Sequence, residues 1–195
     1  MINNIEIVKP LLLFDKGWVY HVQIIQRKKD NPDNFMKNHR VIKHYYIRSL
    51  DYLEKKFPEM TKLADTYNAR VMINLNPKDN TKVTIRCIGL LASYLEKGSD
   101  EAAYKAYSSA IGKTPSEDKK WLIDIDDVVE TDFVTLGFIE ELITESQPEG
   151  AKIIARIPSK TGMHLITKPF DLRAFKKWYP EIDIHKNNPT SIYIP

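Results

Sequence analysis

Trp121-Leu-Ile-Asp-Ile-Asp126 constrains the fold more than any other stretch. Apolar residues lead into two aspartates separated by one isoleucine. On a strand, successive side chains point to opposite faces, so Asp124 and Asp126 share a face while Ile125 lies on the other. Both faces of the strand must then be occupied, one by an apolar layer and one by whatever accommodates two carboxylates. Like charges at this spacing repel unless a cation lies between them or water solvates them. Hard oxygen donors suit magnesium or manganese; a solvated strand end running through Asp127 into a turn is the alternative.

The segments around it alternate between strand and helix signals. Trp18 to Arg27 reads as a strand. Its end, Arg27-Lys-Lys-Asp-Asn-Pro32, is basic and turn-forming, and Lys37, His39, Arg40, Lys43, His44 and Arg48 follow with Tyr45 and Tyr46 among them. Such a mixture suits phosphate contacts with base stacking, or a solvated loop and strand whose tyrosines face the core. Ser49 is placed to cap a helix carrying Leu50, Leu53, Phe57, Met60, Leu63 and Ala64 on one face, with Asn68 to close it. Pro58 inside it predicts a kink or two successive helices. Residues 69–76 read as a buried strand ending in a turn at 77–80. Residues 81–97 and 101–110 read as helices.

Gly112-Lys-Thr114 resembles the end of a phosphate-binding loop, but the glycine that such a loop needs upstream is Tyr107 here, so that reading fails. The polar stretch 111–120 is the natural boundary between an N-terminal α/β unit (1–111) and a second unit (112–195) within one domain. The second unit continues with a helix from Thr131 or Asp132 to Glu145, strands at 151–157 and 163–167 around a Pro158-Ser-Lys-Thr-Gly162 turn, a helix capped by Asp171, and short strands at 181–184 and 191–194.

Composition narrows the functions. The 195 residues hold one cysteine, Cys87, which rules out an intrachain disulfide framework and a cysteine-rich zinc knuckle. A reducing, cytoplasmic setting follows. The Leu11-Leu-Leu-Phe14 run is too short for a membrane span. The formal net charge of +3 permits a nucleic-acid partner without requiring one.

Three polar positions then fall at the edges of successive strands: Asp124 with Asp126, the turn from Ser159 to His164, and Asp183. A third carboxylate would complete a site for two divalent ions of the kind that clamp an in-line phosphoryl displacement. Ser159, Lys160, Gly162 and His164 would offer backbone N–H groups, a lysine and an imidazole to a triphosphate.

The order Asp-x-Asp, Ser-x-x-Gly-x-His and a later Asp resembles the catalytic core of the archaeo-eukaryotic primase superfamily, which includes primase-polymerases of bacteria, plasmids and phages. Asn76-Pro77-Lys78 also resembles an Asn-Pro-Arg element of some members. The turn departs from the commoner Ser-Gly-Arg-Gly, with Lys160 supplying a point charge in place of a fork. The resemblance implies an α/β (α+β) fold, a mixed sheet with an RRM-like catalytic core beside the N-terminal unit, and template-directed nucleotidyl transfer in DNA replication. It implies Asp124, Asp126 and Asp183 as ligands of two Mg2+ or Mn2+ ions. His164, Ser159, Lys160 and Gly162 would hold the nucleoside triphosphate, with Arg27, Lys28 and Arg48 on a single-stranded template. A helicase or other replication protein would be the partner, no membrane would be involved, and the compact form points to a phage or mobile element. A metal-dependent nuclease and a non-catalytic nucleic-acid-binding accessory protein remain open.

Overall fold

The computed structural model describes residues 1–14, 17–33, 38–126, 133–187 and 189–195, with the backbone alone for 133–135. Lys37, Asp127, the start of the helix at Thr131 or Asp132, the side chain of Phe133 and Asn188 therefore lie outside the described residues. The chain is α+β: helices pack on two antiparallel sheets.

The first sheet has the order β1 (Ile2–Asn3), β10 (Thr190–Ile194), β4 (Arg70–Ile73), β2 (Trp18–Arg27), β3 (His39–Ile47), with β5 (Lys78–Asp79) pairing the start of β2. Tyr20, Val22 and Ile24 alternate on one face of β2 and are fully buried. Leu53, Met60 and Ala64 of α2 (Leu50–Tyr67) join them in the same cluster. Burying a side chain the size of Leu or Met stabilises by about 1.5–3 kcal/mol. The predicted caps of α2 are present: Ser49 Oγ accepts from Tyr52 N, and Asn68 ends the helix at φ 43°. One helix runs through Pro58, where the sequence suggests a kink or two helices. The buried stripe on both sides of the proline outweighs the lost backbone bond.

The second sheet has the order β7 (Ile153–Pro158), β8 (Gly162–Thr167), β6 (Trp121–Asp126), β9 (Asp183–His185). Helix α6 (Phe133–Glu145) connects β6 to β7, and α7 (Leu172–Trp178) connects β8 to β9. The connectivity is thus β-α-β-β-α-β. Ile123, Ile125 and Leu165 cluster with Ile139 and Ile143 of α6 and Phe175 of α7. Lys152 is buried at the end of α6, where its Nζ donates to the carbonyls of Ile143, Thr144 and Gly150 at 2.8, 2.8 and 3.0 Å. A cation there is favoured by the exposed carbonyls of a helix end.

Three expectations are corrected. Every strand pair described is antiparallel, so neither sheet is mixed. The helix expected at 101–110 is two, α4 (Asp100–Ala103) and α5 (Ala106–Lys113). The second runs into the presumed loop because Ile111 is buried against Val19, Val83 of α3 (Asn80–Glu96) and Ala110. The last strand, β10, leaves the second unit and inserts between β1 and β4 of the first sheet. Asn4 ties this return down: its Nδ2 donates to Ser191 O and to Pro158 O. Among the described residues no helix is long and apolar enough to cross a membrane.

A candidate active-site cleft between the two sheets

The register of the second sheet gathers the predicted residues in one row. Asp124 pairs with His164 of β8 on one side and with Asp183 of β9 on the other. Residues directly opposite each other share a face. His164, Asp124 and Asp183 therefore stand side by side on the face away from α6 and α7, with Asp126 two residues further along. His164 is buried. Its Nδ1 lies 2.8 Å from Thr190 Oγ1, and its Nε2 lies 3.4 Å from Asp124 Oδ1. This hydrogen bond holds the Asp124 carboxyl below the usual carboxylate range and outweighs burial, which acts the other way; His185 and Lys29 add to the lowering. Asp124 is accordingly an anion at neutral pH.

The face looks into a cleft of about 380 Å³. Across from Asp124 the first sheet contributes Gln23, Ile25, Arg27, His39, Arg70 and Met72 to its lining. Burial and the neighbouring Arg70 disfavour the charge on Arg27, and Asp30, Asp124 and Asp126 partly offset this. Arginine stays protonated through that contest, so the Arg27 guanidinium faces the acid row as a cation, while Arg70, which also lines the cleft, gives its Nε and Nη2 to Asp30. Ser191 also lines the cleft, and its buried Oγ has no hydrogen-bond partner among the described residues. A buried hydroxyl without a partner costs free energy unless a ligand or water completes it.

The turn between β7 and β8 is engaged differently from the expectation. Ser159 N donates to Gly162 O at 2.8 Å, which closes the turn and uses one backbone N–H expected to be free. Thr161 Oγ1 donates to Asp126 Oδ1 at 3.2 Å. Lys160 reaches to Asp30 at 2.9 Å and is not among the cleft-lining residues. Gly162 has a steric reason of its own. A Cβ there would stand 2.1 Å from Ile125 O and 3.0 Å from Asp126 Cα, both backbone atoms that cannot swing aside. Gly162→Ala is expected to push the end of β6 out of register at a cost of about 1–3 kcal/mol. Urea unfolding measures this, and an unchanged midpoint would contradict the close approach.

The proposed template residues separate. Arg27 lines the cleft, and Lys28 begins the short 3-10 turn that follows β2. Arg48 lies just past the other end of β3, whose nine residues span roughly 27 Å. Tyr45 is buried, and its hydroxyl donates to Glu59 of α2. Tyr46 is on the cleft side, stacked with His21 and His44 and edge-on to Tyr107. Burial and the neighbouring His44 push the His21 imidazole down to about 4, so this aromatic strip is neutral near pH 7.

Arg70, His39, His185, Gln23 and Ser191 are cleft residues that the motifs did not single out. His185 was within reach, because period-2 spacing puts it on the face of Asp183. Arg70 begins an apolar strand and gives no local sign of which face would meet an acid.

The donor set, three carboxylates on one sheet face, suits a hard divalent ion in kind. As placed, these acids do not converge: among the described residues no three His, Cys, Asp or Glu side chains gather closely enough to hold a metal ion. No protein-family model, no curated protein and no solved structure matches this chain.

Proposed function

We propose that the chain is a nucleotidyltransferase of the primase-polymerase type, which uses the cleft between the sheets to hold a nucleoside triphosphate against a single-stranded template. The observation that carries this reading is the row His164–Asp124–Asp183, of which His164 and Asp124 line the cleft with Arg27. The β-α-β-β-α-β connectivity supports the RRM-like core that the sequence resemblance implies. Asp124, Asp126 and Asp183 would hold magnesium or manganese, which supplies Lewis-acid stabilisation of a phosphoryl oxygen. Arg27 presents a forked donor suited to phosphate oxygens, and Arg70, held by Asp30, adds positive charge at the same wall. His164, fixed through Thr190, donates or accepts at Nε2 beside Asp124. The orphan Ser191 hydroxyl offers one more polar group to the ligand. Stacked Tyr46, His44 and His21 extend the same sheet face with planar surfaces that suit unpaired bases.

The test is thermal unfolding with a nucleoside triphosphate and manganese. Saturating ligand at about a hundred times its Kd adds roughly 2.7 kcal/mol, which raises Tm by roughly 5–10 °C in a chain of this size. The shift is expected in the wild type and is expected to disappear in His164→Ala. No shift in the wild type would overturn the nucleotide site. A second reading, a non-catalytic protein that binds single strands, is favoured by one observation: Asp124 is already committed to His164 and the acids do not converge. Strand binding without any nucleotide-dependent shift would select it. Shortening of a labelled strand would instead select the nuclease.

A further inference from the structure

A second cleft opens at the start of β6, of about 520 Å³, and its lining includes Asn76, Lys78, Lys113, Lys119, Trp121 and Lys186. Four lysines contribute to the wall, and among the described residues no Asp or Glu does. Trp121 is three residues before Asp124, roughly 10 Å along the strand, and it stands on the opposite face of β6. The cleft is therefore separate from the Asp124 row.

Lys78 is the unusual member. It is 4% exposed, yet among the described residues its ammonium has a single acceptor, Asn187 Oδ1 at 3.3 Å. That same oxygen also accepts from Asn74 Nδ2 at 3.2 Å and Asn76 Nδ2 at 3.3 Å. Three donors share one oxygen, and all three bonds are long. Burial pushes the Lys78 amine down, to about 8, and no carboxylate among the described residues acts against it. Lys152, buried to the same degree, shows what a structural lysine does here: it spends its three protons on three carbonyls at 3.0 Å or less. A buried ammonium with unused donors is costly unless an anion completes it. Lys186 lies over the Trp121 ring, with Nζ 5.0 Å from its centroid, which holds another cation at the wall.

We propose that this second cleft binds a phosphate group, with Lys78 as the buried anchor and Lys113, Lys119 and Lys186 around it. The group can come from a small phosphorylated molecule or from the backbone of a nucleic-acid strand. The inference does not depend on nucleotidyl transfer at Asp124. The full-length chain would be titrated, in metal-free buffer, with inorganic pyrophosphate by calorimetry and with a labelled single-stranded oligonucleotide by fluorescence anisotropy. The variants are Lys78→Met, which keeps the length and removes the charge, and the exposed pair Lys113→Gln with Lys119→Gln, which leaves the buried anchor in place. Loss of a charge-assisted bond is expected to weaken binding roughly tenfold or more in each. The Tm of unliganded Lys78→Met is expected to equal or exceed that of the wild type, because an uncompensated buried charge has gone. Weakened pyrophosphate binding supports a free phosphorylated ligand. Weakening confined to the oligonucleotide supports strand phosphates. Wild-type affinity for both probes in both variants would overturn the site.

Discussion

Asp124→Asn is expected to reduce the proposed nucleotide transfer by at least roughly 10³-fold while leaving the fold intact. Asp124 is central in the row, paired through the sheet with both His164 and Asp183. It is half-buried and held anionic by His164. The amide keeps the shape and removes the charge that faces Arg27. Primer extension checks the activity, and circular dichroism with thermal unfolding checks the fold. Full extension by the variant would remove Asp124 from the chemistry. The lowered pKa sets the sign of the acid dependence. A depressed carboxyl stays charged as pH falls through the ordinary carboxylate range, so loss of activity between pH 7 and pH 5 would come from another group.

Asp30→Ala is expected to cost the most stability of any single change considered, about 3–5 kcal/mol. Asp30 accepts two bonds from Arg70, from Nε and Nη2, each at 2.8 Å, and a third from Lys160 at 2.9 Å. Both the Arg70 and Asp30 side chains are 7% exposed. Removing the acid leaves the guanidinium buried and unpaired, which costs more than the pair itself contributes. Burial resists the Asp30 charge, but the bonds from Arg70 and Lys160 together prevail and hold its carboxyl down to about 2, from 3.8. The pair's contribution is therefore fully present above about pH 4. It is lost as pH falls from there through about 2. Urea unfolding at neutral pH and along an acid series measures both effects. A variant as stable as the wild type at pH 7 would show that the pair is not holding the cleft together. The same contact joins the β7–β8 turn to the first sheet, so the variant is also expected to loosen nucleotide binding.

Much of the local structure was legible. Ser49, Asn68 and Asp171 cap or close helices as their side chains and backbone freedom allow. The alternation of Trp121 to Asp126 puts Ile123 and Ile125 in one core and Asp124 on the other face. The order of the motifs anticipated that His164, Asp124 and Asp183 would stand together. Other features depended on competition between forces. The buried stripe of α2 overrode Pro58, and the contacts of Ile111 drew α5 into a stretch whose composition suggests a loop.

Face alternation and capping depend on neighbours within a few residues, so the sequence alone determined the strand faces and the helix ends. Which face meets which depends on contacts between distant parts of the chain, such as Asn4 with Ser191 and Lys160 with Asp30, 187 and 130 residues apart. Only the tertiary structure therefore decided that Arg27 would confront the acids, that Arg70 and Lys160 would turn to Asp30, and that β10 would return to the first sheet. Whether a lysine or arginine meets a carboxylate or lines a cleft is set by the packing of whole sheets. That packing is driven by apolar burial spread over many residues, and no single motif encodes it.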